Sequence, residues 1–286
     1  MTNEADYKGV LKYLVIFMLC SILVIDVSIA LIPDAHIQHG FAIISLNTAA
    51  AITTILAIIA VLRHGLGGKH GKSYLFLTIG IALWFVADAG ILYSYFVMHI
   101  DEFKKITILD SFWLAGYVFL TLHLISIIKT IKIKKRSITA SILLAVVVGF
   151  IIVNIYSMLP DSDFILDNSN LDPHSEIIEL PDVVITVLYP MLDLSLIVPS
   201  IAILINIYKD YRHSVPWVLA STSLLVNAIA DNGYTIQYID GAASAMPWDL
   251  FYIADFIIMS GALFWYNKYH ISEQILKRNE RNYIDE

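Results

Sequence analysis

Cysteine and charge are what this chain has least of. Cys20 stands alone among 286 residues, so neither an intramolecular disulfide nor a CxxC metal site is possible. Charged residues make up 15% of the chain, where an average soluble domain carries about 25%. That scarcity excludes an ordinary cytosolic enzyme and a disordered chain. The formal net charge of −7 does not suit a surface that binds nucleic-acid phosphates. No Walker A, GxSxG or HExxH pattern is present, so no motif for a nucleotide, a serine nucleophile or a zinc ion can be read, and no cofactor is expected. The last apolar stretch has no lysine in its middle, which argues against a retinal Schiff base.

What remains is apolar. Hydrophobic residues are 58% of the chain and the mean hydropathy is +0.73. A helix crossing the hydrocarbon of a bilayer needs about 20 mostly apolar residues. Eight stretches of that kind run over residues 12–32, 40–62, 74–98, 106–128, 138–159, 182–207, 215–238 and 247–267. Turn or charge signals separate them, among them Pro33-Asp34, Gly65-Leu66-Gly67-Gly68, Asp101-Glu102 and Pro160-Asp161. The expected fold is therefore all-α, a polytopic protein of the cell membrane. The first span has no small-residue cleavage site and reads as a retained helix. With eight spans, both termini fall on one side. All of the 18 Lys and Arg except Lys104 and Lys105 then share that side, which makes it cytoplasmic by the positive-inside rule. The loop from Asp161 to Asp182 is external, acidic and free of Lys and Arg.

The chain reads as a duplication. Asp110-Ser-Phe-Trp-Leu-Ala-Gly-Tyr117 opens the fourth span, and Asp249-Leu-Phe-Tyr-Ile-Ala-Asp-Phe256 opens the eighth. Leu83-Trp-Phe-Val-Ala-Asp-Ala-Gly90 in the third answers to Leu225-Val-Asn-Ala-Ile-Ala-Asp-Asn232 in the seventh. Polar positions recur in order: Asp26 with Asn154, Asn47 with Asp193, Asp88 with Asp231, and Asp110 with Asp249. The division is a first four-helix unit at 1–136, a second at 137–270 and a charged cytoplasmic tail at 271–286. An even number of spans per unit makes the units a parallel tandem repeat, unlike the inverted repeats of many transporters.

The intramembrane acids fall in the outer half of the spans. An acid near the middle of a spanning helix costs about 2.5–3.5 kcal/mol on insertion scales and marks a functional candidate facing the bundle interior. The candidate ligand-binding set is Asp88, Tyr93, Asp110, Tyr189, Asp193, Asn227, Asp231, Tyr234, Asp249 and Asp255. Asn227 and Tyr189 each lie one helical turn before an acid, on its face. Asp255 answers to Gly116, so one half carries an acid that the other lacks. The plainer reading is that each acid ties two helices together by hydrogen bonds, with Asp110 and Asp249 as helix N-caps. The external His36, His39, His99 and His174 lack the tight spacing of a metal site, and none is expected. His123 reads as a buried neutral histidine, and Trp84, Trp113, Trp217 and Trp248 as interfacial anchors. The cytoplasmic halves of the spans read as almost purely apolar, which argues against a transport path.

The Leu-Trp…Ala-Asp helix and the Asp-x-Phe-Trp-Leu-x-Gly-Tyr that follows it, with Tyr189-Pro190-Met-Leu-Asp193-Leu, Ala230-Asp231…Tyr234 and Asp249-x-Phe-Tyr-Ile, resemble a known type of module. This is the multi-pass sensory region that precedes GGDEF diguanylate cyclase or histidine kinase domains, and the likeness spans roughly residues 40–267. It implies a receptor-like module in which Asp88, Asp110, Tyr189, Pro190, Asp193, Asp231 and Asp249 are the matching positions. The segment from His270 to Arg281 carries no output domain, so a signal is expected to pass to a separate protein partner. A fainter likeness, in Ala87-Asp88, Gly116…Phe119…His123 and Ala230-Asp231, is to the YhhN-type lysoplasmalogenases. It implies hydrolysis of a vinyl ether with Asp88 and Asp231 as a catalytic pair. The expected function is thus a membrane sensor or accessory module with an outward acidic pocket for a small polar or cationic ligand. Its alternatives are that hydrolase, or a structural subunit of a membrane complex.

Overall fold

The computed structural model describes residues 4–99, 107–131, 138–142, 188–207, 211–239 and 246–270. Among them the chain is all-α: α1 (Glu4–Ala30), α2 (Ala35–His64), α3 (Gly68–Phe96), α4 (Ile108–Ile131), α5 (Tyr189–Asn206), α6 (Tyr211–Ile239) and α7 (Met246–Trp265). A π-helical turn, Tyr266–His270, continues α7. Six of these helices are long and apolar enough to cross a membrane. α6 has the length, with 29 residues, but Asn227, Asp231 and Asn232 make it the most polar of the set. Of the predicted fifth span, residues 138–142 are helical. The remainder of that span, the external loop and the tail 271–286 lie outside the described residues.

The helices begin and end where local chemistry dictates. Asp34 caps α2, its Oδ1 accepting the Ile37 backbone N–H at 2.9 Å. Gly65 ends α2 with φ +76° while its N–H bonds Val61 O at 2.8 Å, a left-handed exit that favours glycine. Thr107 and Asp110 form a capping box on α4. Leu109 N–H donates to Thr107 Oγ1 at 3.2 Å, and Thr107 N–H donates back to Asp110 Oδ2 at 2.8 Å.

Six helices close a ring. α2 packs on α3, α3 on α4, α4 on α5, α5 on α6, α6 on α7, and α7 returns to α2; α1 lies outside against α7 and α2. Hydrophobic association is weak inside a bilayer, so such seams need close backbone approach or hydrogen bonds. Gly80 and Gly116 supply approach between α3 and α4: a Cβ on either would stand 3.1 Å from the other's carbonyl oxygen. Hydroxyl pairs supply bonds elsewhere. Thr121 meets Ser195 at 2.7 Å between α4 and α5, and Thr53 meets Ser260 at 2.7 Å between α2 and α7. Tyr74, Ile81, Tyr117, Leu120, Leu196 and Leu224 fill the interior.

The described helices give the bundle two distinct ends. α2, α4, α5 and α7 finish at one, where Arg63, Lys129 and Lys268 lie; we call it the basic end. The acids gather toward the other.

Candidate functional site

The sequence-predicted acids converge from five helices. Asp193 on α5 and Asp231 on α6 are joined by Tyr117 on α4. Its hydroxyl bonds Asp193 Oδ1 at 2.8 Å and also Asp231 Oδ2. Both carboxyl groups thus meet at one hydroxyl. Asn232 donates to Asp193 Oδ2 at 2.8 Å, Asn227 to Asp231 Oδ2 at 2.7 Å, and the Tyr252 hydroxyl on α7 to Asp231 Oδ1 at 2.5 Å. Asp193 is 1% exposed; Asp231 is half-buried.

Asp88, on α3, is buried and sits beside this cluster. Trp113 Nε1 donates to its Oδ1 at 3.1 Å, and Asn47 Nδ2 reaches its backbone carbonyl at 3.2 Å. Asp255 is 2% exposed and accepts from the Ser223 hydroxyl across the α6–α7 seam. Asp110 takes the Tyr189 hydroxyl at 2.9 Å besides serving its capping box. Asp249 lies in the first turn of α7 with His39 Nδ1 3.8 Å away. Tyr234, more exposed, is within electrostatic reach of Tyr189 and Tyr252.

Tyr93 stands apart. It is 57% exposed and lines a shallow apolar depression with Ile44, Ala89 and Phe96. Five residues beyond Asp88 at about 100° each puts it on the opposite side of α3.

Four participants were not read from the sequence as site residues: Tyr117, Tyr252, Trp113 and Asn232. Trp113, expected as an interfacial anchor, aims its N–H at Asp88 instead, because α4 turns that side chain toward α3 and away from lipid. Trp84 is likewise buried, its N–H on the Trp113 carbonyl at 3.1 Å. The signal for Trp113, Tyr117 and Tyr252 is present in the paired motifs Asp110-Ser-Phe-Trp-Leu-Ala-Gly-Tyr117 and Asp249-Leu-Phe-Tyr, whose aromatics stand beside the acids.

The expectation of purely apolar spans at the opposite end needs correction. His123 is buried and its Nδ1 lies 2.8 Å from Ser73 O and 2.9 Å from Ser73 Oγ. Nearby, the rings of Tyr74 and Tyr266 stack at 3.6 Å, and the Tyr266 hydroxyl meets His64 Nδ1 at 3.0 Å. These polar groups escape a hydropathy reading because each belongs to an aromatic or hydroxyl side chain scattered singly along an apolar helix.

Helix length, apolar composition and a ring of buried hydrogen-bonded seams define a polytopic membrane protein. Compared with protein-family models, with curated proteins and with solved structures, the chain matches none.

Proposed function

We propose that the chain is a receptor-like membrane module that takes a small cationic, N–H-bearing ligand at the Asp193–Tyr117–Asp231 cluster and passes the change to a separate partner through α7. The observation that carries this reading is the Tyr117 hydroxyl, which faces two carboxyl groups with one proton. Asn232 serves the second Asp193 oxygen, Tyr252 the second Asp231 oxygen, and Asn227 the same Asp231 oxygen that Tyr117 meets. These partners are all neutral, and a carboxylate oxygen accepts more than one donor, so a ligand ammonium is the cationic donor that suits the pair. The likeness to sensory regions that precede signalling domains agrees with this, since Asp193, Asp231 and Tyr189 are among its matching positions.

We also read the two halves as a parallel duplication, and paired contacts support it. Trp113 donates to Asp88 as Tyr252 donates to Asp231. Gly90 makes room for Leu109 as Gly233 makes room for Trp248. Where Gly80 approaches Gly116, Ser223 bonds Asp255. The halves differ at the centre: Tyr117 and Asp193 answer to Phe256 and Asn47, so only one half presents two acids and a hydroxyl. For the hydrolase reading, Asp231 and Asp88 would have to work together; Asp231 shares the Tyr117 hydroxyl with Asp193, while Asp88 answers to Trp113.

Thermal unfolding of the purified protein against a panel of amines, with Asp193→Asn and Asp231→Asn beside wild type, tests the proposal. A ligand at 100 times its Kd stabilises the native state by about 2.7 kcal/mol. A wild-type shift lost in both variants is expected; shifts that persist in both variants would overturn the assignment.

A further inference from the structure

The ring closes where α7 returns to α2, and the two helices meet differently along that seam. In its middle, Thr53 Oγ1 donates to the Phe256 carbonyl at 2.9 Å and meets the Ser260 hydroxyl at 2.7 Å. At the basic end, Arg63 donates to the Asn267 carbonyl at 2.7 Å, and Asn267 Nδ2 to the Leu56 carbonyl at 3.0 Å. At the opposite end the seam has a gap. His39 Nδ1 and Asp249 Oδ2 face each other at 3.8 Å, within ion-pair range but too far for a hydrogen bond. Among the described residues Asp249 Oδ2 is buried and accepts no hydrogen bond, a costly state for a carboxylate oxygen. The His39 side chain is 40% exposed, so protons reach it from solvent.

We propose that His39 and Asp249 form a proton-operated latch on the α2–α7 seam. A neutral imidazole carries no charge to set against the carboxylate. Once protonated, both of its ring nitrogens are donors, and a charge-assisted bond to a carboxylate closes to about 2.7–2.9 Å. Tyr95 on α3 guides the ring. It stands edge-on to His39 at 5.2 Å, with its hydroxyl on the His36 carbonyl at 2.8 Å. Gly40 lets it lie close, since a Cβ there would be 3.2 Å from Tyr95 Cε1. The titratable groups at this end are Asp249 from α7, Tyr95 from α3 and His36 from α2 itself. α1 adds Asp26, one turn before Ile29, whose carbonyl takes the Gln38 side chain at 3.1 Å. Tyr95 stays neutral in the range where histidine titrates. By the distribution of Lys and Arg this end faces outward, so the proton that closes the latch is external. The movement has a way to the acid cluster: Trp248, next to Asp249, rests against Gly233, two residues past Asp231.

Thermal unfolding of the purified full chain at about pH 8 and about pH 6 tests the latch, with wild type beside His39→Gln, His36→Gln and Asp249→Asn. The imidazolium has its partner in the folded state alone. Folded protein therefore binds the proton more tightly, and stability rises as pH falls through the usual histidine range near 6.5. Other acids titrate in every variant, so the quantity read is each variant's change on acidification against that of wild type. Wild type should gain about 2–4 °C more than His39→Gln, and His36→Gln should follow wild type. Asp249→Asn should follow His39→Gln, and combining the two should remove nothing further. An acid response that survives in His39→Gln would overturn the latch, as would one that disappears in His36→Gln; both readings stand even if Asp249→Asn fails to fold. Neither latch residue belongs to the Asp193–Tyr117–Asp231 cluster, so the acid-dependent and amine-dependent shifts can fail separately.

Discussion

At the scale of single residues, Tyr117 has the most to lose. It is 2% exposed and, among the described residues, its hydroxyl is the one group hydrogen-bonded to both Asp193 and Asp231. Tyr117→Phe leaves the buried Asp193 Oδ1 short of its donor, while Asp231 Oδ2 keeps Asn227, and such orphaning costs about 1–3 kcal/mol. A lower unfolding temperature in detergent is expected. Combined with Asp193→Asn, the two losses should fall short of their sum, with a coupling of about 0.5–3 kcal/mol; strict additivity would mean that the hydroxyl and the carboxyl act independently. The partnership of Asn227 with Asp231 was legible in the sequence because one helical turn fixes it. The Tyr117 bridge was not, since it joins residues 76 and 114 positions apart on three helices, and nothing local encodes that distance. Tyr189 shows the same limit: it shares a face with Asp193 on one turn of α5, yet its hydroxyl goes across to Asp110.

Among the elements, the α3–α4 seam is closely packed. A Cβ added at Gly116 would stand 2.3 Å from Trp84 Cδ1, and one at Gly80 would stand 2.7 Å from Leu120 Cγ. Trp84 is also pinned by its bond to the Trp113 carbonyl, so it has little room to yield. Gly116→Ala is expected to cost about 1–3 kcal/mol by overpacking. Gly67→Ala, with open space around it, should stay within about 0.5 kcal/mol; equal losses in the two would refute the close crossing. At the other kind of element boundary, Asp34→Ala removes the cap of α2 and should lower stability by about 0.5–2 kcal/mol, read from the same unfolding curves. Helix existence was readable from apolar run length, and the described helices coincide with seven of the eight expected spans, the fifth lying almost wholly outside the described residues. The ends were less readable. α1 and α6 run several residues beyond their apolar stretches into polar flanks, because backbone hydrogen bonding continues past the point where hydropathy falls.

For the whole molecule, the distribution of Lys and Arg makes a prediction about orientation. In a background with Cys20 replaced by serine, a cysteine at Lys69 should react with a membrane-impermeant maleimide only after the membrane is opened. A cysteine at Asp34 should react in intact cells. The reverse pattern would place the acid cluster toward the cytoplasm and turn the proposed ligand route around. The order of the ring could not be read from the sequence at all. Spacing shows which face of a helix is polar, but not which helix that face will meet, and the return of α7 to α2 depends on contacts such as Thr53 with Ser260, 207 positions apart.

That closing seam also sets an order of assembly. As the chain leaves the ribosome, α2 can pair with α3 and α3 with α4 from neighbouring segments, but the other flank of α2 has no mate until α7 has been made. For that interval Thr53 and the rest of the flank face lipid or a helper protein. A chain cut before α7 is therefore an open arc with a polar edge, a natural substrate for membrane quality control, and its lifetime in the cell should be short compared with that of the closed ring.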